Sequence, residues 1–160
     1  MTPEQIIKHF SLQKHPEGGF FRETYRGDEI VHSKPKGDRS SSTLIYYLLS
    51  EKEISHFHKV ISDEIWAFHA GTTIEILEID RNGGLVIHQL GLDIKNEEVP
   101  HLVIKRDHWF AARVKNGKGF GFVSCIVAPG FEFKDFELGK KELLIEQFPH
   151  LTFIIEKHCL

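Results

Sequence analysis

The sequence is short of cysteine and has no surplus of positive charge. Two cysteines in 160 residues, Cys125 inside an apolar run and Cys159 next to the end, cannot form a disulfide framework, and neither lies in a spaced metal or redox motif. Lys and Arg total 20 against 23 Asp and Glu, a formal charge of -3, so there is no broad basic field to attract a phosphate backbone and nucleic acid is not an expected partner. No apolar run approaches the ~20 residues of a bilayer span, and Met1 to Lys8 contain no basic segment leading into an apolar one. These absences predict a soluble, cytoplasmic protein with no membrane partner. Internal repeats and low-complexity tracts are absent too. The length suits one domain over residues 1–160, able to bury ~70% of the surface of its unfolded chain.

Histidine is plentiful, at 11 residues, and two of these organise the sequence: His56-Phe57-His58, followed by Glu64 and Gly71. Residues two apart on a strand share a face, so alternation predicts that His56 and His58 project together while Phe57 packs behind them. Glu64, on the next strand, brings a carboxylate to the same place, giving the two-His, one-carboxylate set suited to divalent iron and related metals. Ordinary hydrogen bonding of both imidazoles on a half-buried strand is the other reading of the same spacing. Trp66 and Phe68 share the Glu64 face and are candidate pocket walls; His69 falls on the opposite one.

In chain order, Thr2-Pro3-Glu4-Gln5 has the form of a capping box, and a short helix with Ile6, Ile7 and Phe10 on one face should follow. His15-Pro16-Glu17-Gly18-Gly19 breaks it. Phe20 to Arg26 is a strand on which Phe21, Glu23 and Tyr25 share one face and Phe20, Arg22 and Thr24 the other, and Phe21, Arg22 and Glu23 are candidates for a substrate-binding wall. Residues 27–42 are polar and rich in turn formers, the pattern of an exposed loop. Thr43 to Leu49 is a continuous apolar run, expected of a strand buried on both faces. Further strands follow over Thr73–Ile79, Leu85–Leu90, Leu102–Ile104, His108–Val114, Phe120–Val127 and Phe131–Phe136, with Asn82-Gly83 marking a hairpin. Spacing of roughly ten residues is that of a sandwich or small barrel. Two short helices, Lys140–Phe148 and Leu151–His158, close the chain around Pro149.

An all-β chain with His-x-His, a glutamate and then Glu-x6-Gly resembles the cupin superfamily. Glu17-Gly18-Gly19-Phe20-Phe21-Arg22-Glu23-Thr24-Tyr25, Asp63-Glu64-Ile65-Trp66, Trp109-Phe110-Ala111-Ala112 and Val127-Ala128-Pro129-Gly130-Phe131-Glu132-Phe133 are similar to signature blocks of a small cupin family described as a domain of unknown function. That resemblance implies an all-β double-stranded β-helix, a jelly-roll-like barrel with a short N-terminal helix and short C-terminal helices, a small-molecule pocket at one end, and a homodimer. It also implies His56, His58 and Glu64 as ligands of a divalent metal such as Fe, Mn, Ni or Zn. The chain departs from the cupin pattern where a further histidine ligand belongs: Phe110 stands there, with His108 two residues away on the same strand parity. Gly19-Phe20-Phe21-x-Glu23 is similar, more distantly, to a pocket-lining block of cupin-fold sugar-nucleotide epimerases, which use a histidine base and a tyrosine acid without metal. This implies His56 or His58 as base and Tyr25 or Tyr47 as acid. Three readings stand: an epimerase or isomerase-type enzyme on a small polar or sugar-like substrate, a metal-dependent dioxygenase or lyase, and a non-catalytic small-ligand module.

Overall fold

In the computed structural model, which describes residues 1–34 and 37–160, three helices and thirteen strands follow one another. Helix α1 (Pro3–Phe10) begins as its capping box dictates: Gln5 N–H donates to Thr2 Oγ1 at 3.3 Å and Thr2 N–H to Gln5 Oε1 at 2.8 Å. The strands are β1 (Gln13–Lys14), β2 (Phe20–Arg26), β3 (Ile30–Ser33), β4 (Gly37–Ser40), β5 (Thr43–Ser50), β6 (Ile54–Val60), β7 (Asp63–Gly71), β8 (Ile74–Ile79), β9 (Leu85–Leu90), β10 (His101–Ile104), β11 (Trp109–Val114), β12 (Phe120–Ala128) and β13 (Phe136–Leu138). Helices α2 (Lys141–Gln147) and α3 (Thr152–His158) end the chain. Two antiparallel sheets, ordered β1-β2-β5-β12-β7-β10 and β13-β6-β11-β8-β9, face each other as a double-stranded β-helix.

The main core lies between the sheets, where Tyr47, Leu49, Trp66, Ile74, Ile76, Phe110 and Val123 are nearly or wholly inaccessible. Strand β5 is indeed buried on both faces, since Leu48 turns away from Tyr47 and Leu49 to meet Ile6, Phe122 and the rest of the α1 cluster. On the outer face of the second sheet, Phe57, Leu77, Ile79 and Trp109 are covered by Leu144, Phe148 and Ile155 of the C-terminal segments. That second layer explains why strands β8 and β11 carry apolar residues on both faces. No described helix is long and apolar enough to cross a membrane.

Two expectations need correction. The polar stretch 27–42 holds the β3–β4 hairpin, in which Ile30 pairs with Ser40 and Ser33 with Gly37; Pro35 and Lys36 of that stretch lie outside the described residues. Phe131–Phe136 is not a strand: Phe133–Asp135 forms one 3-10 turn and only Phe136 enters a ladder. The reason lies in what binds that segment. Gly130 N–H donates to Ser40 O at 2.8 Å, Phe131 N–H to Thr43 Oγ1 at 2.9 Å, and Asp135 takes a two-point contact from the buried Arg39 guanidinium at 2.7 and 2.8 Å. These bonds replace a ladder and hold Phe131, Phe133 and Phe136 over one end of the barrel, where all three line a cavity.

Candidate functional site

The cavity at that end has a volume of about 100 Å³, room for a few water molecules or a small organic group. Phe21, Ile45, Val60, Val127 and the three phenylalanines of the 131–136 segment make its apolar walls, and His15, Glu17, Tyr47, His58, Glu64 and Cys125 supply polar atoms. Glu23, Arg26 and Glu132 also line it; Arg26 is tied to Glu23 at 2.8 and 3.0 Å, to Glu132 at 3.2 Å and to Phe131 O at 3.1 Å.

Strict alternation fails at two β-bulges, and these decide which predicted residues arrive. Between β6 and β11, Phe110 opposes His58 while Ala112 opposes Ser55, so three steps on β6 match two on β11. Ser55 and His58 therefore share the inner face. His56 does not line the cavity; its Nδ1 donates to Glu17 O at 2.7 Å. Between β2 and β5, Glu23 opposes Ile45 while Tyr25 opposes Leu44. Phe21 and Glu23 stay on the cavity side, Tyr25 is turned out at 55% exposure, and Arg26 takes its place beside Thr43.

Other candidates are dispersed. Arg22 Nη1 reaches away to Phe10 O at 3.1 Å. Trp66, at 1% exposure, packs edge-on against Tyr47 and Phe110 behind the cavity wall, and Phe68 lies further along β7 in a separate recess with Gly71, Thr73 and Glu98. His108 Nδ1 lies 2.6 Å from Glu78 Oε1, whose other oxygen is 2.7 Å from His88 Nε2, so it is held outside the cavity lining. Phe110 is fully buried with its ring centroid 4.0 Å from that of His58. Tyr47 does line the cavity, with its hydroxyl donating to Gly18 O at 2.8 Å.

Sequence reasoning missed Glu17 and His15 as site residues, because they sit in a segment read as a helix breaker. The available signal was the pair of glycines that follows. Gly18 and Gly19 have φ of 112° and 69°, and a Cβ at Gly18 would collide with Ile54 O, so only glycine lets the chain lie against β6 and turn Glu17 inward. Glu17 is 6% exposed, and its Oε1 accepts from Ser55 Oγ at 2.8 Å.

Burial governs the protonation of these groups. It pushes the Glu64 carboxyl up to about 8, reinforced by the nearby Glu17 and opposed by the neighbouring Cys125 thiol and Trp66 indole. It also raises Glu17, against the pull of His15 and of Ser55. Burial lowers His58 to about 4 despite the bond from its Nδ1 to His56 O at 2.7 Å, and lowers His15 as well. Burial thus favours the neutral form both of Glu64 on the first sheet and of His58 on the second.

A family model described as "Cupin superfamily (DUF985)" matches residues 4–139. The chain belongs to this cupin family. It is 35% identical to the uncharacterized protein YML079W of Saccharomyces cerevisiae over 163 residues, 93% of this chain and 79% of that protein. Protein SO0799 of Shewanella oneidensis has a similar structure, with a TM-score of 0.92 and 36% identity over 100% of this chain and 98% of that one. A hypothetical protein from Leishmania major superposes with a TM-score of 0.94 and 29% identity over 99% of both chains. In this cupin the His56, His58 and Glu64 set does not fit a resident divalent ion. The bulge commits His56 to Glu17 O, and Phe110 covers the His58 ring. Among the described residues no group of three or more His, Cys, Asp or Glu side chains is arranged to hold a metal.

Proposed function

We propose that this cupin is an epimerase or isomerase-type enzyme that moves a proton next to a carbonyl group of a small polar substrate. One observation carries the reading: His58 and Glu64, from opposite sheets, line the same cavity, where burial favours the neutral form of each. His58 Nδ1 is spent on His56 O, so the atom that acts as base is Nε2, which lies 3.2 Å from Glu17 Oε2. As it takes the proton from carbon, the C–H electrons move into the carbonyl and Glu64 donates its proton to the oxygen, giving an enol. For an α-hydroxy carbonyl substrate, His58 returns its proton to the former carbonyl carbon while Glu64 takes the proton of the neighbouring hydroxyl, which gives the isomer; for the epimer, water delivers a proton to the opposite face, the hydroxide left takes the His58 proton, and the enol O–H returns its proton to Glu64. A carboxyl kept neutral at pH 7 by an apolar site suits the donor role. The apolar walls limit water at the reacting centre.

Tyr47 is less suited to give up its proton, since burial raises it well above the ordinary range of a phenol. Solvent deuterium incorporation into a panel of small ketones, hydroxyaldehydes and keto-sugars is the test. Wild-type protein should label a subset, and His58→Ala should lose ~10²–10⁴-fold of that rate. Absence of labelling across the panel, with one compound nevertheless raising the melting temperature by mass action, points instead to a non-catalytic binding module.

A further inference from the structure

The mouth of the cavity carries more negative than positive charge. Glu23, Arg26 and Glu132 line it with partly exposed side chains. The Arg26 guanidinium is fully engaged, by both oxygens of Glu23, by Glu132 Oε1 and by Phe131 O. One cation between two carboxylates leaves a net negative charge, and among the described residues no other Lys or Arg lines the cavity. An anionic ligand therefore meets repulsion and no free cationic donor.

Alongside these charges, Phe131, Phe133 and Phe136 form a corner. The plane of Phe131 meets those of Phe133 and Phe136 at 80° and 70°, and the Phe133 and Phe136 planes meet at 75°. The centroids are 5.1 Å apart for Phe131 and Phe133, 6.4 Å for Phe131 and Phe136, and 6.5 Å for Phe133 and Phe136. A cation seated about 4.5 Å over two perpendicular ring faces lies between centroids about 6.4 Å apart, so the two wider pairs have the spacing of an aromatic cage. All three rings line the cavity and border the same space. Elsewhere the chain fills such places itself: Lys14 lies 4.1 Å over Phe20, Lys59 4.4 Å over Trp109 and Lys157 3.9 Å over Phe153. No described lysine or arginine lies over a ring of the corner.

We infer that the ligand of this cavity carries an alkylated ammonium group, held by Phe131, Phe133 and Phe136 and drawn in by Glu23 and Glu132. A bare ammonium needs hydrogen-bond acceptors that phenyl rings do not supply, whereas methyl groups on the nitrogen bring apolar surface to the rings and keep the charge. For turnover the inference rests on the proton-transfer reading above: the substrate is then a small carbonyl compound with the ammonium group close to the reacting carbon.

Three isosteres that differ in charge test the cage by calorimetric titration of the full chain: choline, 3,3-dimethylbutan-1-ol and 3,3-dimethylbutanoate. Choline should bind at least ~10-fold more tightly than the alcohol, and the carboxylate most weakly. Phe133 is 54% exposed, so Phe133→Leu should fold; it should weaken choline at least ~5-fold and leave the alcohol within about twofold. E132Q should also lower the preference for choline over the alcohol. Equal or tighter binding of the alcohol or the carboxylate overturns the inference, as does no binding of choline at about 50 mM or a Phe133→Leu variant that keeps the full preference. Deuterium labelling of trimethylacetonylammonium against 4,4-dimethylpentan-2-one, each divided by its uncatalysed rate, tests turnover separately. Choline binding without labelling of any ketone defeats the proton-transfer reading and leaves the cage; labelling of neutral ketones without choline binding defeats the cage and leaves that reading.

Discussion

Phe110 stands opposite His58 across the β6–β11 ladder, with the two ring centroids 4.0 Å apart. The phenyl ring both covers one side of the imidazole and completes the core between the sheets, so the base is held in place by apolar packing.

Phe110→Ala should therefore cost about 3–5 kcal/mol of folding stability, the usual loss for a fully buried phenylalanine. Urea denaturation measures it, and a loss under about 1 kcal/mol would show that the ring is not a core element.

Stability should fall between pH 6.5 and 8. Glu64 is raised from 4.5 to about 8, so across that window the folded state keeps a proton that the unfolded chain has released. His58, lowered from 6.5 to about 4, slopes the other way and only at lower pH, where the unfolded chain takes up a proton that the folded state refuses. One proton per chain amounts to about 1.4 kcal/mol per pH unit, or about 2 kcal/mol over the window. Glu17 adds in the same direction as Glu64. Glu64→Gln should flatten the profile by about that 2 kcal/mol, as read from unfolding at several pH values.

His56→Ala and His58→Ala should separate cleanly. The first removes one hydrogen bond, to Glu17 O, and costs about 1 kcal/mol, while the backbone oxygen that holds His58 Nδ1 remains. The second removes the proposed base. Deuterium labelling should survive the first substitution at reduced rate and vanish with the second; equal losses would contradict the placement of His56 behind the site.

Chelation should leave the protein unchanged. Dialysis against EDTA is expected to shift neither melting temperature nor labelling rate, and elemental analysis should find less than about a tenth of an equivalent of Fe, Mn, Ni or Zn per chain, since only well-matched ligand sets retain a metal. A stoichiometric metal lost with a drop in melting temperature would overturn this reading.

Much of the architecture was legible beforehand because it depends on local rules. The Thr2 capping box, the Asn82-Gly83 hairpin and the two-sided burial of β5 follow from hydrogen-bonding capacity, from backbone freedom at glycine and from an uninterrupted apolar run. Gly83, at φ 84°, turns the chain while Asp80 Oδ1 accepts from Asn82 and Gly84 N–H. Family blocks spread from Glu17 to Phe133 settled the fold class for the same reason: they record residues that packing permits.

The membership of the site was less legible. Period-two reasoning put His56 with His58 and Tyr25 with Glu23, and each pair is split by one extra residue in a ladder. A bulge is set by how a strand must bend against its partner and has no period of its own in the sequence. His15 and Glu17 were equally hidden, because nothing local says that a turn 39 residues before His56 will be laid along β6. The sequence by itself determined the barrel, the helices that cover it and the presence of a histidine and a glutamate near its end, since propensity and patterning act over a few residues. Only the tertiary structure decided that Glu17, His58 and Glu64 share one enclosed space and that Phe110 closes it, because burial and proton placement arise where distant segments pack together.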